Sequence, residues 1–385
     1  MLPNLRKVGK FNTILLVPDS FKNSLSAEEV TEELAEGLDY YKEGLDIQQF
    51  PFADGGEGSL KVVERFVKCE TRTIYTFDAL MKPIRADYLV DPVRNIAYVE
   101  AALVVGLEVL DKDPDCYNAS TYGLGLVIAD ALDFGVDEVY LFLGGTATCD
   151  GGVGMAAALG YHFMMEKRVL ERPLARDVKY ISNVRTENVH SRISDVKFHV
   201  ACDVDNVLLG ENGAVFTYAK QKGATEEQLE LLELGMENIR KMLLDKKNID
   251  VQDVPGTGAA GGLGAGSILF LDGQLKSAFD ILSEIAGLRD KIKNADLVIT
   301  GEGHIDMQSF NGKLISKIKE IADEFEKPVW LVCAIRSISE KEALKIGFER
   351  IHSLYKSMPK KINIPESKRK LFKVGKKWAE EWIEV

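Results

Sequence analysis

The chain has 385 residues, 46% of them hydrophobic and 28% charged, so it can bury a large core and divide into two domains. Its formal net charge of -12 argues against general binding to nucleic acid. Five scattered cysteines lack paired metal spacing, and no segment is typical of a membrane span or a signal-peptide core. These features predict a globular cytoplasmic protein with reduced thiols.

The N-terminal segment predicts a strand, a loop and a helix in that order. Residues 11–17 are apolar enough for a buried strand, and the Ser-x-x-Glu pattern at 26–29 is typical of a capped helix start. The loop between them carries Asp19, Ser20 and Lys22. Open α/β sheets bind ligands at the carboxyl ends of strands, so these three are candidate site residues. The alternative for Asp19 and Ser20 is an ordinary turn.

A second strand and loop follow the first helix. Residues 47–52 predict a strand, and the next loop places Asp54 and Glu57 among three glycines. Packing alone does not explain two carboxylates in such a loop. Beyond it, residues 71–100 alternate in a way that predicts antiparallel strands, and we place a domain boundary near residue 76.

A buried strand predicted at residues 138–143 leads into a glycine-rich turn at residues 144–154. The turn offers hydroxyls, one carboxylate and many amides, a composition suited to phosphate or polyol oxygens. Two later strands also end in acidic segments. Residues 196–201 lead into Asp203, Asp205 and Asn206.

The last of these strands, predicted at residues 295–300, leads into a loop that contains Glu302, His304 and Asp306. The polar side chains beyond this strand and beyond residue 201 occupy positions where parallel sheets place ligands. They are therefore candidate site residues as well.

The run at residues 256–266 consists almost entirely of glycine and alanine. Such a run can present backbone amides to a phosphate at a helix N-terminus; the alternatives are a flexible linker and a close helix contact. Gly256, Gly258 and Gly261 match G-x-G-x-x-G, but the buried strand that a dinucleotide fold requires upstream is missing. A nicotinamide dehydrogenase is therefore the weaker interpretation.

Basic residues near two predicted helices each have two interpretations. Lys220 and Lys222 precede an amphipathic helix predicted at residues 225–244, and they are either phosphate ligands or ordinary exposed lysines. The lysine-rich tail at residues 356–377 superficially resembles a nucleic-acid patch, but the acidic chain favours an amphipathic C-terminal helix that covers a sheet.

In chain order, these motifs resemble those of the bacterial glycerate kinase family, a class of kinases without a Walker A motif. The resemblance runs from about residue 11 to about residue 335. The segments that carry it are 18–22, 53–58, 144–152, 202–206, 221–225, 256–262 and 300–303. It implies an enzyme that uses ATP and Mg²⁺ to phosphorylate D-glycerate, generally at the 2-hydroxyl to give 2-phosphoglycerate.

The resemblance also implies a fold of two α/β domains. One is Rossmann-like with a mainly parallel sheet, for which we predict residues 1–75 and 295–385. The other is an inserted mixed α/β domain, predicted at residues 76–294, that carries the glycine-rich loops. The active-site cleft is expected between them.

Phosphoryl transfer requires positioning and charge neutralisation, which suggests roles for the candidate residues. By its motif, Lys22 contacts substrate carboxylate or developing phosphate charge, and Asp203 or Asp205 orients or deprotonates the hydroxyl. The candidates for substrate binding are Asp19, Ser20, Asp54, Glu57, Asn206, Glu302 and His304. Those for nucleotide binding are Gly144, Gly145, Thr146, Thr148, Gly256, Gly258, Gly261 and Gly262, and those for Mg²⁺ are Asp150 and Asp306.

Four sites depart from the family pattern. Cys149 stands where the glycine-rich turn usually has Asn, and His304 replaces a common Arg. Val104 and Val105 replace an Ala-Ser pair before Gly106, and residues 333–336, which end in Arg336, lie where a small Ala-Gly-Ser turn is expected. The first two changes remove an amide and a guanidinium that could donate to a carboxylate or phosphate. A ligand-binding homologue with impaired catalysis is therefore the alternative to an active kinase.

Overall fold

The computed structural model describes residues 11–21, 24–40, 44–52, 58–111, 113–251, 254–310, 314–357 and 363–383. Its strands are β1 (Thr13–Pro18), β2 (Asp46–Gln49), β3 (Glu70–Phe77), β4 (Pro83–Asp91), β5 (Ile96–Glu100), β6 (Glu138–Phe142), β7 (His162–Met165), β8 (Arg168–Leu170), β9 (Asn183–Arg185), β10 (Lys197–Ala201), β11 (Gln274–Lys276), β12 (Leu297–Ile305), β13 (Val329–Arg336) and β14 (Arg350–Ser353).

The α-helices of the same ranges are α1 (Ala27–Asp39), α2 (Ser59–Phe66), α3 (Ala102–Val105), α4 (Tyr122–Phe134), α5 (Val153–Ala158), α6 (Ala214–Tyr218), α7 (Glu226–Lys247), α8 (Ala259–Leu271), α9 (Ala278–Ile285), α10 (Leu288–Asn294), α11 (Leu314–Glu324), α12 (Glu340–Ile346) and α13 (Ile364–Ile383). None of these helices has the length and hydropathy that crossing a membrane requires.

The chain divides into two compact units. The terminal unit comprises Met1–Ala53 and Gly287–Val385, and the middle unit comprises Asp54–Ala286. Strand β3 contains the boundary predicted near residue 76. It pairs with β4 along its whole length, and all of it lies in the middle unit. The functional assignment of the two domains, and the cleft between them, stay predictions.

The terminal unit is built on a parallel sheet with the order β14-β13-β12-β1-β2. Helices α1 and α13 pack against each other, and Trp330 of β13 meets Trp378 of α13 with ring centroids 5.2 Å apart. Trp378 is only 1% exposed, which confirms the predicted amphipathic helix in the lysine-rich tail. All five strands end at the same edge of this sheet.

The start of α1 follows the predicted capping box. The Ser26 amide donates to Glu29 Oε2 at 3.0 Å, and the Glu29 amide donates to Ser26 Oγ at 3.2 Å. These bonds satisfy two backbone donors that the first turn leaves unpaired. They fix where the loop after β1 ends.

The middle unit contains a mixed sheet with the order β11-β10-β6-β5-β4-β3. Strands β11, β10, β6 and β5 are parallel neighbours, whereas β4 runs antiparallel to both β5 and β3. The antiparallel strands predicted at residues 71–100 are thus confirmed, and so is the mixed α/β class. A small antiparallel sheet, β8-β7-β9, accompanies it.

Strand β12 is longer than the sequence predicts. The predicted strand stopped at Thr300, but Glu302, His304 and Ile305 pair with Cys333, Ile335 and Arg336 of β13. The interpretation of residues 301–305 as a loop is therefore wrong. The glycines at 301 and 303 are typical of a loop, but backbone pairing with β13 stabilises a strand at these residues.

Candidate active-site residues in the two units

In the terminal unit, Asp19 and Ser20 follow the end of β1. The Asp19 amide donates to the carbonyl oxygen of Gly301 at 2.9 Å, and the Ser20 amide donates to Asp19 Oδ1 at 2.6 Å. Both residues are half-buried. The structure thus places them beside β12 at the carboxyl edge of the sheet, where the sequence predicts a ligand.

Two buried polar atoms near the same edge have no hydrogen-bond partner among the described residues. They are Oε1 of Glu302 on β12 and Nη1 of Arg336 on β13. Both side chains act electrostatically on the nearby thiol of Cys333. Burial raises the pKa of this thiol to about 12. The charge of Arg336 lowers the same pKa, and the charge of Glu302 raises it. An unpaired buried acceptor and an unpaired buried donor are costly unless a ligand satisfies them. Together they suit a small ligand that carries both a hydroxyl and a carboxylate.

The two remaining candidates of this unit make local contacts. His304 is exposed, and its Nε2 lies 2.7 Å from Ser337 Oγ. Asp306 Oδ1 accepts from the Ser309 amide at 3.2 Å at the start of the short 3-10 helix Met307–Phe310. In this position the Asp306 carboxylate stabilises the start of the 3-10 helix. Its role as a metal ligand stays a prediction.

Lys22, Asp54 and Glu57 lie outside the described residues. The segment that follows residues 54 and 57 is held by Glu100, the last residue of β5. Glu100 is 1% exposed and accepts from the amides of Gly58 at 3.1 Å and Leu60 at 3.0 Å. Sequence reasoning missed this carboxylate, although its position directly after four apolar strand residues was the available signal.

In the middle unit, Asp203 and Asp205 follow β10. Asp203 is exposed, and its Oδ1 accepts from the Ala278 amide at 2.9 Å and from Ser277 Oγ at 3.1 Å, at the start of α9. Asp205 is also exposed, and its carboxylate makes no hydrogen bond or ion pair to another described residue. The charges of both aspartates and, above all, burial raise the pKa of Cys202 to about 11.

Asn206 is engaged by neighbouring groups. Its Oδ1 accepts from the Tyr218 hydroxyl at 2.6 Å, and its Nδ2 donates to the Asn212 carbonyl oxygen at 2.7 Å. Its own carbonyl oxygen accepts from the Gly258 amide at 2.9 Å. These bonds stabilise the loop, and they leave the amide little capacity for the substrate contact that we predicted from the sequence.

The glycine-rich turn after β6 has an accessible part and a buried part. Gly144 is half-buried and Gly145 is exposed, with φ of 77° at Gly145, a conformation that favours glycine. Thr146 and Thr148 are buried, and the hydroxyl Oγ1 of Thr148 has no hydrogen-bond partner in the described part of the chain. Because Phe142 pairs with Ala201, this turn begins beside the Asp203 loop.

Lys222 lies behind this turn. It is only 4% exposed, so its interpretation as an ordinary exposed lysine is wrong. Its Nζ donates to Thr146 Oγ1 at 3.2 Å and to the Thr148 carbonyl oxygen at 3.0 Å. The sequence left its role open, since only tertiary packing distinguishes it from Lys220.

Asp150 is fully enclosed at the far end of the turn. Its Oδ2 accepts from Thr121 through the amide at 2.7 Å and the hydroxyl at 2.8 Å, and also from the Gly154 amide at 3.0 Å. Its Oδ1 accepts from the Gly152 amide at 3.3 Å. Burial raises the pKa of this carboxyl, and the four hydrogen bonds oppose that rise. With its oxygens so occupied, Asp150 is a structural residue here, and the geometry does not support the predicted metal role.

The glycine run at 256–266 is packed against backbone. A Cβ on Gly258 would lie 2.1 Å from the Val207 carbonyl oxygen, and one on Gly261 would lie 2.1 Å from the Thr148 carbonyl oxygen. The run is buried, and the Gly258 amide already donates within the protein. The structure therefore favours the close-contact interpretation over both the linker and a phosphate loop. Nucleotide binding by Gly256, Gly258, Gly261 and Gly262 is not supported by this geometry.

Within the described ranges, no group of three or more histidine, cysteine, aspartate and glutamate side chains is arranged to hold a metal ion. All five cysteines are free thiols, as the sequence predicts. A metal that acts here would therefore draw most of its ligands from a bound substrate, from water or from residues beyond the described ranges.

Comparison with known proteins assigns this arrangement to a class. The family described as "Glycerate kinase family" matches residues 14–382. The chain is 33% identical over 360 residues to the glycerate kinase of Halalkalibacterium halodurans, covering 92% of this chain and 93% of that relative. It is also 33% identical over 317 residues to the glycerate 2-kinase of Escherichia coli K12, with 82% and 83% covered. The crystal structure of a candidate glycerate kinase 2 from Salmonella typhimurium LT2 superimposes with a TM-score of 0.82 at 29% identity, covering 97% of this chain and 98% of that one.

The α/β fold and these relatives define the protein as a phosphotransferase. The chain belongs to the glycerate kinase family. This membership confirms the resemblance, the fold class and the enzyme class that we predicted from the sequence. It excludes the interpretation of the Gly256 run as part of a nicotinamide dehydrogenase. A kinase of this family needs a phosphoryl donor and a small-molecule acceptor.

Proposed function

We propose that this protein transfers the terminal phosphoryl group of ATP to the 2-hydroxyl of D-glycerate, giving 2-phosphoglycerate. The observation that carries the proposal is the relationship to the Escherichia coli glycerate 2-kinase across most of both chains. The 2-hydroxyl and the nucleotide are the parts of the proposal that go beyond family membership.

The polar atoms of the terminal unit support glycerate as the acceptor. Glycerate carries one carboxylate and two hydroxyls on three carbons. Its carboxylate would accept from Arg336 Nη1, and a hydroxyl would donate to Glu302 Oε1, so each ligand group would satisfy a buried atom that has no partner. A site built to bond these groups would reject an analogue that lacks them.

The exposed part of the glycine-rich turn supports binding of the phosphoryl donor. Gly144 and Gly145 can bring backbone close to phosphate oxygens, because neither carries a side chain at this edge of the sheet. Asp203 and Asp205 lie on the loop after the adjacent strand β10. An acid there can orient the attacking hydroxyl or accept its proton.

Mg²⁺ is compatible with the described acids as a companion of the donor phosphates. Mg²⁺ binds through one or two carboxylates together with phosphate oxygens and water, and when bound it neutralises the charge that develops on the phosphates. Asp205 fits this requirement, since its carboxylate is exposed and makes no bond within the described ranges. Asp150 does not fit, because four donors already surround it.

The test is a coupled assay of ATP consumption with D-glycerate, L-glycerate, lactate and glycolate as acceptors. Purified enolase is then added to the product, because enolase consumes 2-phosphoglycerate directly and does not consume 3-phosphoglycerate. We expect turnover with D-glycerate and an immediate enolase signal. Turnover without that signal would reject the 2-hydroxyl, and a folded protein that consumes no ATP with any acceptor would be an impaired homologue.

A further inference from the structure

Lys222 is a buried cation without a carboxylate partner among the described residues. It is 4% exposed, and no carboxylate of those ranges lies within ion-pairing distance of its Nζ. The contrast is with Lys220, whose side chain is 56% exposed and pairs with Glu226 at 2.7 Å. Burying an unpaired ammonium is unfavourable because the charge loses its hydration, so the position of Lys222 requires an explanation that surface lysines do not.

The backbone around Lys222 is fixed in place. Lys222 ends the 3-10 helix Lys220–Lys222, and Gly223 follows with φ of 91°. A Cβ on Gly223 would lie 1.8 Å from the Pro114 carbonyl oxygen, so this connection is packed tightly against another segment. Thr225 then begins α7 with a capping box to Gln228. The lysine stem therefore extends from a rigid base toward the turn after β6.

The glycine-rich turn has unused hydrogen-bonding capacity around this ammonium. Lysine has three N–H donors, and two of them are taken by Thr146 Oγ1 and the Thr148 carbonyl oxygen. The third has no acceptor within the described chain. Thr148 Oγ1 is likewise buried and unpartnered. The ammonium and this hydroxyl both therefore retain hydrogen-bonding capacity on the buried side of the turn.

The positive charge also acts on the turn itself. Cys149 lies between Thr148 and Asp150, and its pKa is lowered, first by the hydrogen bond from the Cys116 thiol and then by the charge of Lys222. The protein interior screens the charge of Lys222 weakly, so this charge also favours a phosphate oxygen bound at the turn.

We propose that Lys222 is a positioning residue for the phosphoryl donor. Its bonds to Thr146 and Thr148 hold the turn so that Gly144 and Gly145 face the donor, and its charge raises the affinity of that turn for phosphate oxygens. This inference rests on the proposed function, which supplies the identity of the reaction. The affinity of the turn for a phosphate anion can nevertheless be measured without glycerate.

The first experiment compares Lys222→Met with Lys220→Met, which removes a neighbouring exposed charge of the same kind. We expect Lys222→Met to raise KM for ATP at least about tenfold while KM for glycerate changes less than about twofold, and Lys220→Met to change neither beyond that. A merely structural role would lower stability and kcat without this selective effect on donor KM. A folded Lys222→Met protein with wild-type KM for ATP would overturn the proposal.

The second experiment measures tripolyphosphate binding by calorimetry, using Thr146→Val as a near-isosteric variant that keeps the lysine but removes one acceptor. Tripolyphosphate affinity should fall at least about fivefold in Thr146→Val and further in Lys222→Met, with partial recovery in Lys222→Arg. If the wild type binds tripolyphosphate but phosphorylates no glycerate, the proposed function fails and this inference stands. If Thr146→Val binds tripolyphosphate as the wild type does, this inference fails whatever the acceptor proves to be.

Discussion

The carboxylate of Asp203 accepts a hydrogen bond from the Ala278 amide at 2.9 Å and a second from Ser277 Oγ at 3.1 Å. The same side chain that the sequence assigns to proton transfer therefore also holds the first turn of α9. A substitution at this position affects catalysis and helix stability together, and the two effects have to be separated by the choice of variant.

Asp203→Asn should leave stability nearly unchanged, because the amide oxygen can still accept from Ala278. Asp203→Ala should cost about 0.5–2 kcal/mol, as expected for loss of a helix cap. If the charge serves the reaction, both variants should lose at least about a hundredfold in kcat. Urea titration and steady-state kinetics measure the two effects, and Ser277→Ala is the control that weakens the cap alone. Wild-type kcat in Asp203→Asn would remove Asp203 from the catalytic residues and leave Asp205.

Asp150→Asn should destabilise the protein independently of metal. The amide oxygen can take the place of Oδ2 and accept from Thr121 and Gly154, but the amide nitrogen then takes the place of Oδ1 and faces the Gly152 amide, which donates to Oδ1 in the wild type. Each orphaned buried donor costs about 1–3 kcal/mol. Thermal unfolding with Mg²⁺ and with EDTA tests this. A variant of normal stability that no longer responds to Mg²⁺ would restore Asp150 as a metal ligand.

Gly258→Ala should weaken folding rather than only nucleotide binding. The added Cβ would meet the Val207 carbonyl oxygen at 2.1 Å, and relief requires backbone movement, which costs about 1–3 kcal/mol. Gly235→Ala is the matched control, because the nearest atom to its Cβ would be the Cβ of Val178, at 3.3 Å. Chemical denaturation of both proteins decides the point. A stable Gly258→Ala protein with impaired ATP binding would instead support a phosphate loop at this run.

His352 should make stability depend on pH below neutrality. Burial lowers the pKa of this imidazole from its usual value, and the charges of Lys377, Arg336 and Arg350 lower it further. Since the folded pKa lies below the unfolded one, the stabilising contribution is full above about pH 6.5 and is lost as the pH falls through the folded value. Denaturant midpoints between pH 7.5 and pH 5 should decline less in His352→Gln than in the wild type or a His162→Gln control. Parallel curves for all three proteins would contradict this assignment.

The sequence alone determined the class of fold, the order of most elements and the family. Local patterns such as the Ser26 capping box and the alternation in β3 and β4 act over a few residues, so they survive without knowledge of the partner strands. The motif order was sufficient for the glycerate kinase family because the resemblance rests on residue types in their order along the chain, which can be compared without knowing any contact. Even so, the pattern ended β12 too early, since the extension to Ile305 depends on pairing with β13.

Only the tertiary structure decided which contacts the described candidate side chains make. Lys220 and Lys222 are indistinguishable as neighbours in a sequence, but one is exposed beside Glu226 and the other is buried behind Thr146. The glycines at 258 and 261 match a phosphate loop in spacing, yet contacts with residues about 50 to 110 positions away require them to lack a Cβ. Burial and hydrogen bonds to distant backbone determine these environments, because they depend on segments that lie outside the span of a motif.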